Sequence, residues 1–445
     1  MNIKDDSRLV KKGDIFVALK DNTYILDAIK NGASKVVVKN GSYNVSTINV
    51  KNPRKYLINY LKYNYYKQIS DINLIGITGT NGKTTTCFLI YEALNKLGIK
   101  CGYIGTIGFY LDKKIKDLNN TTPDLIELYE LLLKAKEKNY NYVVMEVSSH
   151  ALEMSRINSL LFDIAIFTNL THEHLNYHKT MKNYALAKQK LFKNLKKNNK
   201  TIVNIDDKYK NYFLHNDSIT YGFNKSDYQI INYFVKKGKT YFKIKHKNNI
   251  YKFKMNLIGK YNIYNMLIVI IYLHNLNYSF KKIRKIIKNL KLPSGRMEKI
   301  KYKKNLIIID YAHTVDATEK ILKALQDIKH NNIYTVVGCG GEFDKEKRPI
   351  IGKTASELSD YVIITSDNPR NEDPYKIADE MIQNLDKINY EIDINRKNAI
   401  NKGIQKLVKS DILLILGKGH ENYQVINGEK IKFNDKEIVL DIIGR

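Results

Sequence analysis

The stretch from Ile72 to Gly98 constrains the fold of this chain more than any other. INLIGIT (Ile72–Thr78) is a continuous apolar run of the kind a fully buried strand needs. GTNGKTTT (Gly79–Thr86) follows. CFLIYEALNKLG comes next, with apolar residues at Ile90, Leu94 and Leu97 and with Gly98 as a helix stop. Strand, glycine-rich loop, Lys-Thr and helix together make the setting of a phosphate-binding loop. The glycines let backbone N–H groups approach phosphate, and the helix N-terminus adds the positive end of its dipole. In that reading Lys83 meets the β- and γ-phosphates and Thr84 a magnesium ion. The common pattern GxxxxGK[ST] has glycine where this chain has Ile77, so the loop is a variant keyed on Gly79 and Gly82.

Two further apolar runs end in chemistry-bearing residues. YVVMEVSSHAL (Tyr142–Leu152) ends in Glu146, then Ser148, Ser149 and His150; FDIAIFTNLTHEHLNYH (Phe162–His178) ends in a histidine-rich loop. If both strands run parallel to the phosphate-loop strand, Glu146 and His174 emerge at the same edge as Lys83. A carboxylate and an imidazole suit a magnesium ion that also touches phosphate. His172, His174 and His178 leave zinc as an alternative, although their spacing matches no common zinc pattern.

The rest of the chain organises around this unit. Residues 1–70 read as a small α/β unit, with a strand at Asp14–Ala18, a helix at Ile25–Asn31 and a strand at Lys35–Val38. Residues 71–292 alternate strands and helices, then show period-2 alternation over Tyr228–Leu257 with a hairpin break at Lys236–Lys239, and end in an apolar helix, Asn262–Leu276. LPSGR (Leu292–Arg296) reads as a linker. Beyond it NLIIIDYAH, NIYTVVGCGG, YVIITSDNPR and DILLILGKGH repeat the short apolar run ending in polar or glycine residues, the mark of a parallel, doubly wound sheet. Ligands bind beyond the carboxyl ends of such strands. The expected fold is α/β with three domains: 1–70, a small N-terminal α/β unit; 71–292, a central P-loop ATPase-like parallel sheet with extra antiparallel strands; and 293–445, a C-terminal Rossmann-like domain. Three domains fit 445 residues at about 150 each.

Composition excludes several other classes. A net charge of +29 suggests a nucleic-acid partner at first sight. The excess is lysine, 65 of the 74 basic residues with arginine supplying the other nine, and the lysines are scattered, as in KKNNK and KKGK. Heavy use of Lys, Asn, Ile and Tyr and the absence of Trp fit A/T-rich coding. A polynucleotide-binding NTPase is therefore disfavoured. The same bias makes each arginine informative, because Arg is kept where a planar two-pronged donor is needed; Arg156, Arg296, Arg348 and Arg370 all fall in motifs. The longest apolar run, Met266–Leu273, has eight residues, far from the ~20 of a membrane helix. No signal-peptide core is present at the N-terminus, and Cys87, Cys101 and Cys339 are widely spaced. These features point to a cytoplasmic protein without membrane insertion.

Taken in order, GTNGKTTT, NNTTPD, MEVSSHAL, FTNLTHEHLNYH, GKYNIYN, SGRME, DYAHT, GGEFDKEKRP and SDNPRNEDP resemble the Mur ligases, ATP-dependent enzymes of bacterial cell-wall precursor synthesis. The resemblance runs from DSRLVKKGDIFVAL to GKGHENYQ, nearly the whole chain. It is greatest to the members that attach a diamino acid to UDP-N-acetylmuramoyl-L-alanyl-D-glutamate. It implies that ATP converts the D-glutamate γ-carboxylate to an acyl phosphate, which an amine attacks. It implies catalytic roles for Lys83, Glu146, His174 and Lys188, with Lys188 carbamylated and Thr84, Glu146, His174 and the carbamate holding magnesium. ATP would be bound by Gly79, Thr80, Asn81, Gly82, Lys83, Thr84 and Thr85, with Asn265 at the base and Arg296, Asp310 and His313 facing the nucleotide. The N-terminal unit would bind UDP through Ser7, and Asn120, Thr121, Thr122, Ser148 and Arg156 would contact the muramoyl dipeptide. Met154 stands where the family often has Gln. Thr122 also reads as the N-cap of a helix, with Pro123 in its first turn.

DNPR is the family's mark for meso-diaminopimelate. Arg370 can clamp that substrate's distal carboxylate with two hydrogen bonds, beside Asp367, Asn368 and Pro369; Gly417 offers backbone and Glu421 pairs with the distal ammonium. GGEFDKEKRP puts Phe343 where such members usually carry Arg. Either Arg348 or a lysine compensates, or the substrate is L-lysine, meso-lanthionine or another diamino acid. The expected state is a monomer with no nucleic-acid partner. Folylpolyglutamate synthetase shares the fold and the acyl-phosphate chemistry, but NNTTPD, MEVSSHAL and DNPR argue against it.

Overall fold

In the computed structural model the apolar run at Ile72 becomes strand Asn73–Thr78, buried from Leu74 onward, and helix Lys83–Lys96 starts as the glycine-rich loop ends. The structure describes residues 1–328, 330–342 and 344–445, without the Asn198 side chain. Contacts divide the chain into two bodies. The first comprises Met1–Thr78, Gly98–Ile166 and Leu186–Thr201, and the second Gly79–Leu97, Phe167–Ala185 and Ile202–Arg445.

In the first body, strands Ile3–Lys4, Ile15–Val17, Lys35–Val38 and Ser46–Asn49 pair in chain order, all parallel. Phe16, Val36 and Val38 pack with Ile25 and Ala28 of helix Ile25–Lys30. Helix Pro53–Ile69 follows, capped by the Asn52 side chain with Pro53 at its first position. Strand Asn73–Thr78 pairs in parallel with Tyr142–Glu146, which pairs in parallel with Cys101–Gly105; the register sets Ile77 opposite Glu146. Glu146 thus ends its strand level with the last residues of Asn73–Thr78.

The second body contains an antiparallel meander, a six-stranded sheet and the small antiparallel pair Tyr423–Ile426 and Glu429–Lys432. Tyr228–Lys236, Lys239–His246 and Asn249–Met255 form an antiparallel meander. The alternation over Tyr228–Leu257 therefore holds two turns, not the single break at Lys236–Lys239. The turn residues Lys237 and Lys247 both adopt φ of +52°, a left-handed conformation that lysine does not advertise. Helix Lys260–Asn275 buries the whole of Met266–Leu273, with only Tyr272 keeping a trace of exposure.

After the linker a six-stranded sheet runs in the order Glu298–Tyr302, Asn305–Asp310, Ile412–Leu416, Ile333–Val337, Tyr361–Ile364, Tyr390–Ile392. Every pair is parallel except the first. Alternation along Asn305–Asp310 sends Ile308 to one face and Ile307 and Ile309 to the other. Helices Val315–Gln326 and Lys347–Leu358 cover the first face, and Arg396–Gln405 and Asp435–Ile442 the second. This is the doubly wound arrangement expected. Asp310, Asp367 and Gly417 all lie at or just past the carboxyl ends of their strands. Among the described residues no helix is long and apolar enough to cross a membrane.

Candidate active site

The phosphate loop in the second body is shaped by its hydrogen bonds. Thr80 N–H donates to Asn169 O at 2.8 Å, Asn81 N–H to Asn169 Oδ1 at 3.0 Å, and Thr168 Oγ1 to Asn81 O at 2.7 Å. Gly82 takes φ of +87° where the loop turns into the helix. Lys83 Nζ folds back onto the Gly79 and Thr80 carbonyls, at 2.8 and 2.7 Å, which holds an ammonium over the loop. Arg296 donates to Thr84 Oγ1 at 3.3 Å and lies over the Tyr311 ring.

A cavity of about 520 Å³ opens beside the loop. Asn81, Gly82, Thr85, Asn265, Arg296 and Asp310 line it, so six of the nucleotide residues expected from the sequence come together there. Tyr233, Tyr264 and Asp206 also line it, with Tyr264 donating to Asp206 at 2.6 Å. These were not singled out in the sequence, where three residues far apart carry no motif. Asp310 accepts the backbone N–H groups of Met297 and Ala312, so it anchors the linker as well as facing the cavity. Burial raises its carboxyl despite the charge of Arg296.

His174 and His313 meet through a residue the sequence reading passed over. Glu173 has one oxygen 3.8 Å from His174 Nε2 and the other 3.6 Å from His313 Nε2. Burial works to raise this carboxyl, but the facing His313 imidazole, His174 and the Lys83 ammonium prevail and hold it below the usual carboxylate range. His174 has φ of +57°, in the left-handed region that few residues other than glycine adopt and that histidine tolerates better than most.

In the first body Glu146 is fully buried. Its Oε1 accepts Tyr103 Oη–H at 2.5 Å and Thr106 N–H at 2.8 Å, and its Oε2 accepts Thr106 Oγ1 at 3.2 Å. Neither Tyr103 nor Thr106 was legible as a site residue. Thr122 does not cap the helix that follows it: Asp124 is the N-cap of Leu125–Glu137. Thr122 instead donates to the Glu146 carbonyl at 2.8 Å and accepts Ser148 N–H at 3.0 Å. It thereby ties together two motifs that are separate in sequence. Thr121 sits 3.1 Å from Thr106 Oγ1, Arg156 donates to Thr122 O at 3.0 Å, and Asn120 is exposed. Met154 Sδ lies 3.4 Å from Arg156. Ser7 is buried, with its carbonyl held by Asn31. Lys188 is only 1% exposed, the opposite of the solvated face expected of an ordinary lysine on a helix.

The motifs SDNPR and GKGHE converge in the second body. Asn368 Nδ2 donates to Glu421 Oε2 at 3.0 Å. Gly417 takes φ of +108°, and a Cβ there would lie 2.6 Å from Asp367 Oδ2, so the close approach of these two strand ends requires glycine. Pro369 precedes Arg370, which adopts φ of +56°; its guanidinium donates to Gly341 O at 2.9 Å. Arg348, the arginine expected to stand in for one at residue 343, is engaged within the protein. It is fully buried, held by Glu372, Glu380 and Gly340 O. Phe343 itself lies outside the described residues.

The Mur ligase middle domain profile matches residues 77–273, and the Mur ligase, glutamate ligase domain profile matches residues 295–419. The UDP-N-acetylmuramoyl-L-alanyl-D-glutamate--2,6-diaminopimelate ligase of Clostridium perfringens is 40% identical, over 99% of this chain and 94% of its own length. A Clostridium acetobutylicum protein of that name, the first of two, is 40% identical over the same shares. A solved structure of a UDP-N-acetylmuramoyl-L-alanyl-D-glutamate--2,6-diaminopimelate ligase superposes with a TM-score of 0.69 at 31% identity, covering all of this chain and 94% of that one.

Proposed function

The chain belongs to the Mur ligase family, whose members are ATP-dependent amide-forming ligases, and on that premise we propose that it adds meso-diaminopimelate to UDP-N-acetylmuramoyl-L-alanyl-D-glutamate. The γ-carboxylate of D-glutamate attacks the γ-phosphorus of ATP, ADP leaves, and an acyl phosphate forms. An amine of diaminopimelate then attacks the acyl carbon, phosphate departs with the C–O bond electrons, and the amine loses a proton as the amide forms. The product is a precursor of peptidoglycan.

Most of the work is positioning and charge neutralisation. Residues Gly79 to Thr85 cradle the phosphates, with Lys83 as the ammonium at their transferable end. Arg296 adds a second cation, Asn265 meets the base, and Asp310 and His313 face the nucleotide. Thr84, Glu146, His174 and the carbamate of Lys188 offer a hydroxyl, two carboxyl-type groups and an imidazole, a mainly hard donor set that fits magnesium. When bound, that ion supplies further neutralisation of phosphate charge. The burial of Lys188 supports its assignment. Ser7, Asn120, Thr121, Thr122, Ser148 and Arg156 hold the UDP-linked substrate. Residues 1–70, 71–292 and 293–445 form the UDP, ATP and amino-acid domains of a cytoplasmic monomer.

One observation carries the choice of amino acid. Asp367 and Glu421 bring two carboxylates, Arg370 a guanidinium, and Asn368 connects them, donating to Glu421 and accepting at its carbonyl from Arg370 at 3.4 Å. Charges of both signs around one cluster suit a zwitterionic terminus. The test is phosphate release from ATP with the UDP-linked dipeptide and, in turn, meso-diaminopimelate, L-lysine or meso-lanthionine, with product mass measured. Turnover chiefly with diaminopimelate is expected. Preference for another diamino acid would overturn the specificity, and no turnover with any of them would overturn the ligase reading.

A further inference from the structure

Two lysines are buried among the described residues, Lys188 and Lys418. Lys418 lies in GKGHE between Gly417 and Glu421, but the sequence gives it no role of its own and it has no part in the reaction described above. It follows strand Ile412–Leu416 and is fully buried. Its Nζ lies 2.9 Å from Glu421 Oε2, 3.0 Å from Asn368 Oδ1 and 3.6 Å from Asp367 Oδ1. Asn368 Oδ1 also accepts Val425 N–H at 2.9 Å, and its Nδ2 reaches the Glu421 oxygen that Lys418 holds. One ammonium thus connects three of the side chains assigned to the amino acid.

A buried ammonium is costly unless it is paired, and an apolar residue of similar volume is often as good for stability. The backbone pairing of Ile412–Leu416 with its neighbours does not use this side chain. Its position is better explained by charge. Asp367 and Glu421 together carry two negative charges, matched by the positive charges of Lys418 and of Arg370, while the nearby Arg396 is neutralised by its own partner Asp435. A terminus bearing one ammonium and one carboxylate leaves this balance undisturbed. A lone ammonium adds a positive charge and brings no carboxylate to the carbonyl-bound guanidinium of Arg370.

We propose that Lys418 is a positioning and specificity-determining residue, which fixes Glu421 and Asn368 in register and cancels one carboxylate charge so that the site takes a zwitterionic terminus in preference to a lone ammonium. This rests on the reading that Asp367, Asn368 and Glu421 face the amino acid. Without Lys418, Glu421 loses its anchor and the site gains a unit of negative charge, which favours a cation.

The test compares wild type, Lys418→Met and Lys418→Arg, with meso-diaminopimelate and L-lysine varied at saturating ATP and UDP-linked dipeptide, alongside thermal melts. In Lys418→Met the KM for diaminopimelate rises about tenfold or more, and the preference for diaminopimelate over L-lysine in kcat/KM falls by a similar factor. The KM values for ATP and for the UDP-linked substrate stay within about twofold. Lys418→Arg keeps the charge, so its preference stays near wild type while its KM for diaminopimelate still rises. A folded Lys418→Met with unchanged preference and KM overturns the proposal. If Lys418→Met fails to fold, an unchanged KM for diaminopimelate in Lys418→Arg overturns it instead. Failure of the wild type to use diaminopimelate would sink both this proposal and the reading beneath it, and would show in the wild-type arm alone.

Discussion

Gly82 and Asn265 meet so closely that a Cβ on residue 82 would lie 2.6 Å from the Asn265 Oδ1. That oxygen accepts Thr86 Oγ1 at 3.2 Å, and Asn265 Nδ2 donates to Asn262. The contact joins the phosphate loop to the first turns of helix Lys260–Asn275. Gly82→Ala would meet a left-handed backbone penalty of about 1–2 kcal/mol and would also displace Asn265. Both effects fall on nucleotide binding. The expected outcome is a folded protein with a raised KM for ATP and a kcat/KM about 100-fold lower, read by phosphate release against ATP concentration. An unchanged KM for ATP would refute this account of the loop.

Lys188 is buried, so its replacement tests chemistry and not surface charge. If it carries a carbamate, Lys188→Ala loses turnover by about 100-fold or more while UDP-substrate binding persists. The carbamate itself is visible directly. Wild-type protein equilibrated with carbon-13 bicarbonate should show one carbamate signal by NMR, and Lys188→Ala should lack it. A wild-type spectrum without that signal would count against the modification.

Much of this was legible because strand ends carry the motifs. The four C-terminal apolar runs all become strands of one sheet, and Asp310, Asp367 and Gly417 fall at their carboxyl ends as the pattern requires. Residues that act through tertiary contact were not legible. Tyr103 reaches Glu146 across 43 positions, and Thr122 meets Ser148 across 26. Arginines repaid attention unevenly. Arg396 pairs with Asp435 through two hydrogen bonds at 2.8 Å, both side chains fully buried, yet it lies in no motif. Lysine was the least readable residue type, because a chain with so many offers no contrast; Lys418 stands inside GKGHE, yet only its burial sets it apart from the rest.

Asp5 gives the N-terminal region a pH signature. Burial, and then the charge of Asp124, push its carboxyl up to about 6, with Arg54 acting in the opposite sense. Unfolded, it titrates near an ordinary value of about 3.9. The folded state therefore binds this proton more tightly. The associated stability is fully present below about pH 3.9 and is lost as pH rises through about 6. Asp5→Asn imitates the protonated form. It should melt a few degrees higher than wild type at about pH 7, with the difference shrinking as pH falls below Asp5's folded value. A difference that grows on acidification would show that the sign is wrong.

Arg348 is the stability counterpart of Arg370. It donates to Glu380 at 2.7 Å, to Glu372 at 3.0 and 3.2 Å and to Gly340 O at 3.1 Å, joining helix Lys347–Leu358 to the segment after Pro369 and to helix Pro374–Ile382. Hydrogen bonding from Arg348 holds the Glu372 carboxyl down at about 2. Arg348→Met strips two glutamates of a shared partner. Breaking a fully buried pair costs ~3–5 kcal/mol, and the partly solvated glutamates reduce this to about 2 kcal/mol. Arg348→Lys recovers little, since an ammonium cannot reproduce the fork. Denaturant melts at neutral pH should show both losses. On acidification the wild-type advantage should fade as pH drops from the ordinary glutamate value of about 4.3 through about 2, because Glu372 then protonates in the folded state as well. A loss for Arg348→Met that persists undiminished in acid would mean that packing, and not the ion pair, carries the contribution.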